Sequence, residues 1–234
     1  MLREIDTDIW VAEQPLQYFG LSVGTRMTVI RLKNRELVVI SPIKVNDTII
    51  RQLQEIGTVK HIIAPNLHHY LFAENFKMLY PDAIFWAVSG LQNKKPNLPI
   101  DKIIEDNLEQ LWDGIEYQFI EGFRTITLSG FEPLKECVFF HPLSQTLILT
   151  DLAFYFDETF PFLTQLTSQV IGGYKKLSPS VLEKIATTET EKVKNSIRKI
   201  LNWDFERVIM AHGSIINENG KEKLKEGYKD FLAI

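Results

Sequence analysis

The sequence predicts an α/β fold, a four-layer αββα sandwich built as one domain over residues 1–234. Two observations predict it. Short apolar runs rich in branched residues fall into two groups, one from Ile9 to Val88 and one from Tyr117 to Thr150, and helical periodicity follows each group. No short-period repeat and no linker rich in Gly, Ser or Pro divides the chain.

In order, Ile9 to Leu16, Met27 to Leu32 and Leu37 to Ile40 read as strands, with Asn34-Arg35-Glu36 as a turn and Ser41-Pro42 as a stop. Asn46 or Asp47 caps a helix whose Ile49, Ile50, Leu53 and Ile56 share a face, and Gly57 suits its end. Val59 to Ala64 is short and apolar, as a buried central strand must be. Leu71, Phe72, Phe76, Leu79 and Tyr80 then mark an amphipathic helix. Ala83 to Val88 is the next strand. Ser89 to Asn107, polar and interrupted by Pro96 and Pro99, reads as a long surface loop with a helical turn.

The second group comprises Tyr117 to Ile120, Ile126 to Leu128, Cys137 to Phe140 and Leu147 to Thr150, the last two joined by a turn carrying His141. Helices are expected over Asp157 to Val170, Pro179 to Ala186 and Thr190 to Leu201. A last strand, Arg207 to Ala211, runs into His212-Gly213, and a closing helix places Leu224, Tyr228, Phe231 and Leu232 on one face.

A net charge of −4 offers no cationic excess for phosphates, so no nucleic-acid partner is expected. One cysteine, Cys137, excludes an intrachain disulfide and a thiolate zinc cluster, and reads as a buried small hydrophobe. Without a signal-like start or an 18-residue apolar stretch, the expectation is a cytoplasmic protein with no membrane partner. A small molecule or a protein is the expected partner, and a homodimer is left open. Gly172-Gly173 lacks the setting of a dinucleotide motif, and no G-x-S-x-G elbow or P-loop occurs.

Three positions share one local pattern, an apolar strand running into a metal-competent side chain: His68, Asp151 and His212. Strand ends of open α/β sheets gather ligands, and two imidazoles with a carboxylate suit zinc or iron. On these residues the sequence resembles the metallo-β-lactamase fold superfamily, within it a branch known only as a domain of unknown function. The resemblance implies the layered sandwich and a metal crevice at the strand ends. It also shows what is missing. The superfamily's H-x-H-x-D-H signature stands here as Asn66-Leu67-His68-His69-Tyr70-Leu71, with His68 alone at a histidine position, and its later histidine is replaced by Phe131 in Gly130-Phe131-Glu132-Pro133-Leu134. Asp151 matches the bridging aspartate and His212 the last histidine.

Carried over by position, neither metal of the superfamily's pair keeps three protein ligands. The resemblance therefore implies a degenerate site without a dinuclear centre, in a protein that binds a small molecule or a partner without catalysis, its crevice lined by Asn66, His69, Tyr70, Phe131 and Glu132. The alternative is a mononuclear hydrolase of an ester, lactone or phosphodiester, with one zinc, iron or manganese ion on His68, Asp151 and His212. His69 or Glu132, turned inward, would complete such a site.

Overall fold

The computed structural model describes residues 1–105, 112–127 and 130–233. Residues 106 and 107, the end of the expected polar loop, and Leu128, the end of an expected strand, lie outside them. The first sheet begins with β1 (Arg3–Asp6) antiparallel to β2 (Ile9–Gln14). A two-stranded hairpin follows, β3 (Gln17–Tyr18) with β4 (Leu21–Ser22). Then β5 (Thr25–Arg31) returns beside β2, and β6 (Glu36–Ile40) pairs antiparallel with β5.

From there the sheet is parallel. Helix α1 (Asp47–Ile56) crosses to β7 (Thr58–Ala64), α2 (Ala73–Leu79) to β8 (Ile84–Val88), and the short α3 (Leu91–Lys94) precedes β9 (Lys102–Ile104). The result is a seven-stranded sheet ordered β1-β2-β5-β6-β7-β8-β9. Asn46 caps α1 as its position predicts, accepting from the Ile49 N–H. Gly57 ends that helix in an extended conformation, φ 173°, and a Cβ there would meet the Arg35 carbonyl, so close approach rather than a left-handed turn selects glycine.

The second sheet is ordered β10-β13-β14-β15. It holds β10 (Glu116–Phe119), then, beyond the separate hairpin of β11 (Arg124–Thr127) and β12 (Gly130–Pro133), β13 (Cys137–His141) and β14 (Thr146–Ile148). Helices α4 (Phe162–Ile171), α5 (Val181–Ala186) and α6 (Thr190–Ile200) precede β15 (Arg207–Ile209), which lies parallel to β14, and α7 (Gly220–Leu232) closes the chain.

Strand alternation divides the core into layers. Along β13, Cys137 and Phe139 join the core shared with the first sheet, whereas Val138 and Phe140 face the other way, onto Val193 and Ile197 of α6 and Leu224 and Tyr228 of α7. Ile62 and Ile63 of β7 are both fully buried, because a central parallel strand is covered on both faces, and each contributes about 1.5–3 kcal/mol. The expected αββα sandwich is the observed architecture.

Three local expectations change. The segment read as a loop from Ser89 holds its helical turn as α3 but also β9, whose three residues are too few to impose a period on the sequence. The helix expected from Asp157 begins at Phe162, because the Asp157 carboxylate accepts from the Thr159 N–H and builds a turn, and Pro161 sits at the cap. His141 lies at the end of β13 rather than in the turn, 4% exposed, its Nδ1 2.8 Å from Ser144 Oγ.

Candidate metal centre

Three chain reversals deliver the site. His69 sits in the turn after β7, Asp151 three residues beyond β14, and His212 three residues beyond β15. Their ligand atoms all lie within 4.8 Å of one another, the His69 and His212 ring centroids are 5.0 Å apart, and all three line one cavity. His69 Nε2 is 3.3 Å from Asp151 Oδ1, and His212 Nε2 is 3.6 Å from the same oxygen.

Each ligand is held by a second group. Asn66, fully buried, is the hub: its Oδ1 accepts from the His68 and His69 backbone N–H at 2.7 and 2.8 Å, and its Nδ2 donates to Asp151 Oδ2 at 2.8 Å and Thr150 Oγ1 at 3.0 Å. That local turn sets which imidazole faces the carboxylate, since adjacent side chains diverge. Below Asp151, the fully buried Glu136 accepts from the Thr150 and Asp151 N–H at 2.7 and 2.8 Å. Its carboxyl is pushed up to about 7, by burial first and then by the Asp151 charge. Burial also works to raise Asp151, but His69, His212 and His68 outweigh it and hold that carboxyl well below the usual range.

The two imidazoles differ. His212 Nδ1 lies 2.6 Å from the Gly24 carbonyl, an acceptor only, so Nδ1 carries the proton and Nε2 presents its lone pair. Burial, with His69 close by, lowers its pKa to about 4, so the ring is neutral at pH 7. His69 Nδ1 pairs with Ser41 Oγ at 2.7 Å; burial lowers its pKa, the Asp151 charge raises it more, and the net direction is up. Arg26, 7% exposed on β5, brackets His212 by donating to the carbonyls of Met210 and Gly213, the latter at 2.7 Å. Gly213 has φ 90° and a Cβ there would strike the Tyr155 carbonyl, so only glycine lets the chain turn directly after His212.

The residues singled out from the sequence divide accordingly. Asp151 and His212 meet, and His69 completes the group; His68 stands beside it, lining the same cavity, with a buried Nε2 that has no hydrogen-bond partner among the described residues. Asn66 supports the site from behind and does not line the cavity. Tyr70 also turns away, with the Lys95 ammonium 5.4 Å from its ring centroid. Phe131 is 59% exposed on β12. Glu132 is tied to Lys94 Nζ at 2.8 Å and Thr127 Oγ1 at 3.0 Å, which keeps it out of the cluster. Sequence reasoning missed Ser41, Gly24, Arg26 and Glu136. A charged residue directly before the apolar run Cys137 to Phe140 was the available signal for Glu136; the other three announce nothing locally.

The donor set fits a metal ion. Ligand distances of about 2.0–2.1 Å in a tetrahedral shell put neighbouring donors about 3.4 Å apart, and the two separations from Asp151 Oδ1 are 3.3 and 3.6 Å. Asp151 Oδ2 accepts from Asn66 Nδ2 and also lies 3.3 Å from His69 Nε2, so Oδ1 is the oxygen that both imidazoles approach without a competing side-chain amide.

Among solved structures, the chain is similar to the DIM-1 metallo-β-lactamase, at 13% identity and TM-score 0.66, covering 100% of this chain and 95% of that one. It is similar to the metallo-β-lactamase FIM-1 from Pseudomonas aeruginosa in its mono-zinc form, at 9% identity and TM-score 0.62, covering 100% and 93%. It also matches the metal-soaked Flv1 flavodiiron core from Synechocystis sp. PCC6803, at 14% identity and TM-score 0.65, covering all of this chain and 60% of the other. At these identities the likeness establishes the metallo-β-lactamase fold. No curated protein matches the sequence. A family described as a domain of unknown function, DUF4336, matches residues 6–180, most of the chain, and the protein belongs to that family.

Proposed function

We propose that the protein is a mononuclear metal-dependent hydrolase whose ion is held by His69, Asp151 and His212. The observation that carries this is a pair of facing acceptors: the bare Nε2 of neutral His212 points at the ionised Asp151 Oδ1, 3.6 Å away and too far for a hydrogen bond. Two electron-rich atoms held so close in a buried site repel each other unless a cation lies between them. Two imidazoles and one carboxylate select zinc or iron over the harder magnesium and calcium.

When bound, such an ion would supply Lewis acidity toward the oxygen of an ester, lactone or phosphodiester. The chain's own groups do the rest. Gly24 fixes the His212 tautomer, and Ser41 Oγ can accept from His69 Nδ1–H once Nε2 has given up its proton. Asn66 orients Asp151 while its backbone contacts hold His69, so one amide aligns two of the three donors.

A second reading, a non-catalytic binding protein, is supported by one contact: His69 Nε2–H can donate to Asp151 at 3.3 Å and close the cluster without an ion. Elemental analysis after purification without chelator separates the two. About one equivalent of zinc or iron, lost in Asp151→Ala together with ester or lactone hydrolysis, is the expected result. Less than a tenth of an equivalent, with no metal-dependent turnover, overturns the hydrolase reading; two equivalents overturn its single-ion form.

A further inference from the structure

The cluster lines a cavity of about 240 Å³, and the rest of that wall, His68 aside, is apolar or hydroxyl-bearing, with one further carboxylate. Leu21, Val23, Phe72, Leu134, Phe154 and Ile171 contribute apolar surface. Hydroxyl residues also line it, most of them donating elsewhere: Thr164 to the Ser22 carbonyl, Ser168 to the Gln165 carbonyl, Thr125 and Ser180 to Glu183, and Thr127 to Glu132. No lysine or arginine is among the described lining residues; Asp151 and Glu183 are the acidic groups, alongside the histidines. Glu183 is 6% exposed and committed, accepting from the Ser180 N–H at 3.0 Å and Thr125 Oγ1 at 3.0 Å, and burial raises its pKa. Both of its oxygens are engaged by Ser180 and Thr125, and its ionised form repels an anion. The rim is apolar too, since Tyr18, Leu71 and Leu182 line the cavity while 51%, 63% and 38% exposed.

A phosphodiester or carboxylate body entering this space would lose its hydration with no cationic side chain to replace it, whereas a hydrocarbon loses nothing. Size narrows the choice further. A cavity of about 150 Å³ holds benzene, so about 240 Å³ takes a body of roughly ten carbons.

Resting on the hydrolase reading above, we propose that the site takes an uncharged ester or lactone with an apolar body of roughly ten carbons, its carbonyl at the His69–Asp151–His212 end, and discriminates against phosphodiesters and carboxylates. Hydrolysis adds one water across the acyl C–O bond, which breaks to give an alcohol and a carboxylic acid. The acid ionises by losing its proton to solvent, and the anion so formed is the species this wall disfavours, which helps it leave.

Isothermal titration calorimetry of the full chain tests this, with methyl esters of C4, C6, C8 and C10 acids set against decanoate and the phosphodiester methyl decyl phosphate. In metal-free protein, ester affinity is expected to rise about three- to fourfold per methylene, with both anions at least tenfold weaker than the C10 ester. Thr167 lines the cavity, half-buried on α4, and takes no part in the metal group. Thr167→Trp should fill the space and weaken every ester at least tenfold with the far-UV spectrum unchanged; Thr167→Lys should restore decanoate binding. Anions binding as tightly as the ester, or affinity independent of chain length, overturns the proposal. The variant His69→Ala/His212→Ala keeps failures apart: if it and the parent both lack metal but show the same chain-length ladder, the hydrolase reading fails and the apolar selection stands.

Discussion

The turn after β7 and the β11–β12 hairpin both stand where the superfamily signature leads one to look for ligands, and they have diverged in opposite ways. In the turn, Asn66 is fully buried and spends its whole amide on the His68 and His69 backbone, Thr150 and Asp151. In the hairpin, Phe131 is 59% exposed and Glu132 is neutralised by Lys94, so neither reaches the cluster. A metal-competent side chain is held in place where buried hydrogen bonds dictate its direction, as at His69, and is lost where solvent can satisfy whatever replaces it.

That contrast can be broken at several points. The largest effect belongs to Asp151, the shared acceptor of both imidazoles: Asp151→Ala should weaken zinc binding by more than about 100-fold in competition with a chromogenic chelator, since even outer supports are worth 10–100-fold. Zinc binding unchanged by that substitution would mean the ion, if any, sits elsewhere. Next is Asn66→Ala, which strands two backbone N–H groups and the Asp151 carboxylate; chemical denaturation should show a loss of about 2–4 kcal/mol, and a loss below about 0.5 kcal/mol would remove Asn66 from the centre of the account.

Glu136 sharpens the same side of the comparison through pH. Its carboxyl is pushed up to about 7 in the folded chain against an ordinary 4.5, so the folded state holds a proton that the unfolded chain has released. Its contribution is therefore fully present below about pH 4.5 and is lost as pH rises toward 7. Glu136→Gln should flatten that fall in a stability-versus-pH series of denaturation curves, and an identical slope in the variant would contradict the raised pKa. His68, beside the group but outside it, should matter less: His68→Ala is expected to change zinc affinity by less than about tenfold, below the range for a supporting residue. Smallest of all, Phe131→Ala and Glu132→Ala should each shift stability by within about 0.5 kcal/mol and leave metal content as it was. Loss of the metal in Glu132→Ala would show that the hairpin still supplies a ligand.

Much of this site was legible before any coordinates. Asp151 and His212 stand where apolar strands stop, a one-dimensional signal, and β14 and β15 run parallel, so their ends necessarily share one rim. The choice between His68 and His69 was not legible that way. Both are the same residue type in the same turn, and which one faces inward depends on Asn66 accepting their two consecutive N–H groups while it donates to Asp151, 85 residues away. The supports were hidden for a related reason. Ser41, Gly24 and Arg26 act through a hydroxyl, a carbonyl and a guanidinium whose partners lie 28, 188 and 184 residues away in sequence.

By itself, the sequence determined the layers, because periodicity and burial are properties of neighbouring residues, and it showed that the superfamily's H-x-H-x-D-H signature is incomplete here. No helix among the described residues is long and apolar enough to cross a membrane, in keeping with the absence of a long apolar run. Tertiary structure decided which imidazole joins the carboxylate, which tautomer His212 carries, and that the cavity beside them is apolar and free of lysine and arginine among its described lining. Those are facts about direction and distance between remote parts of the chain, and pattern along a chain carries neither.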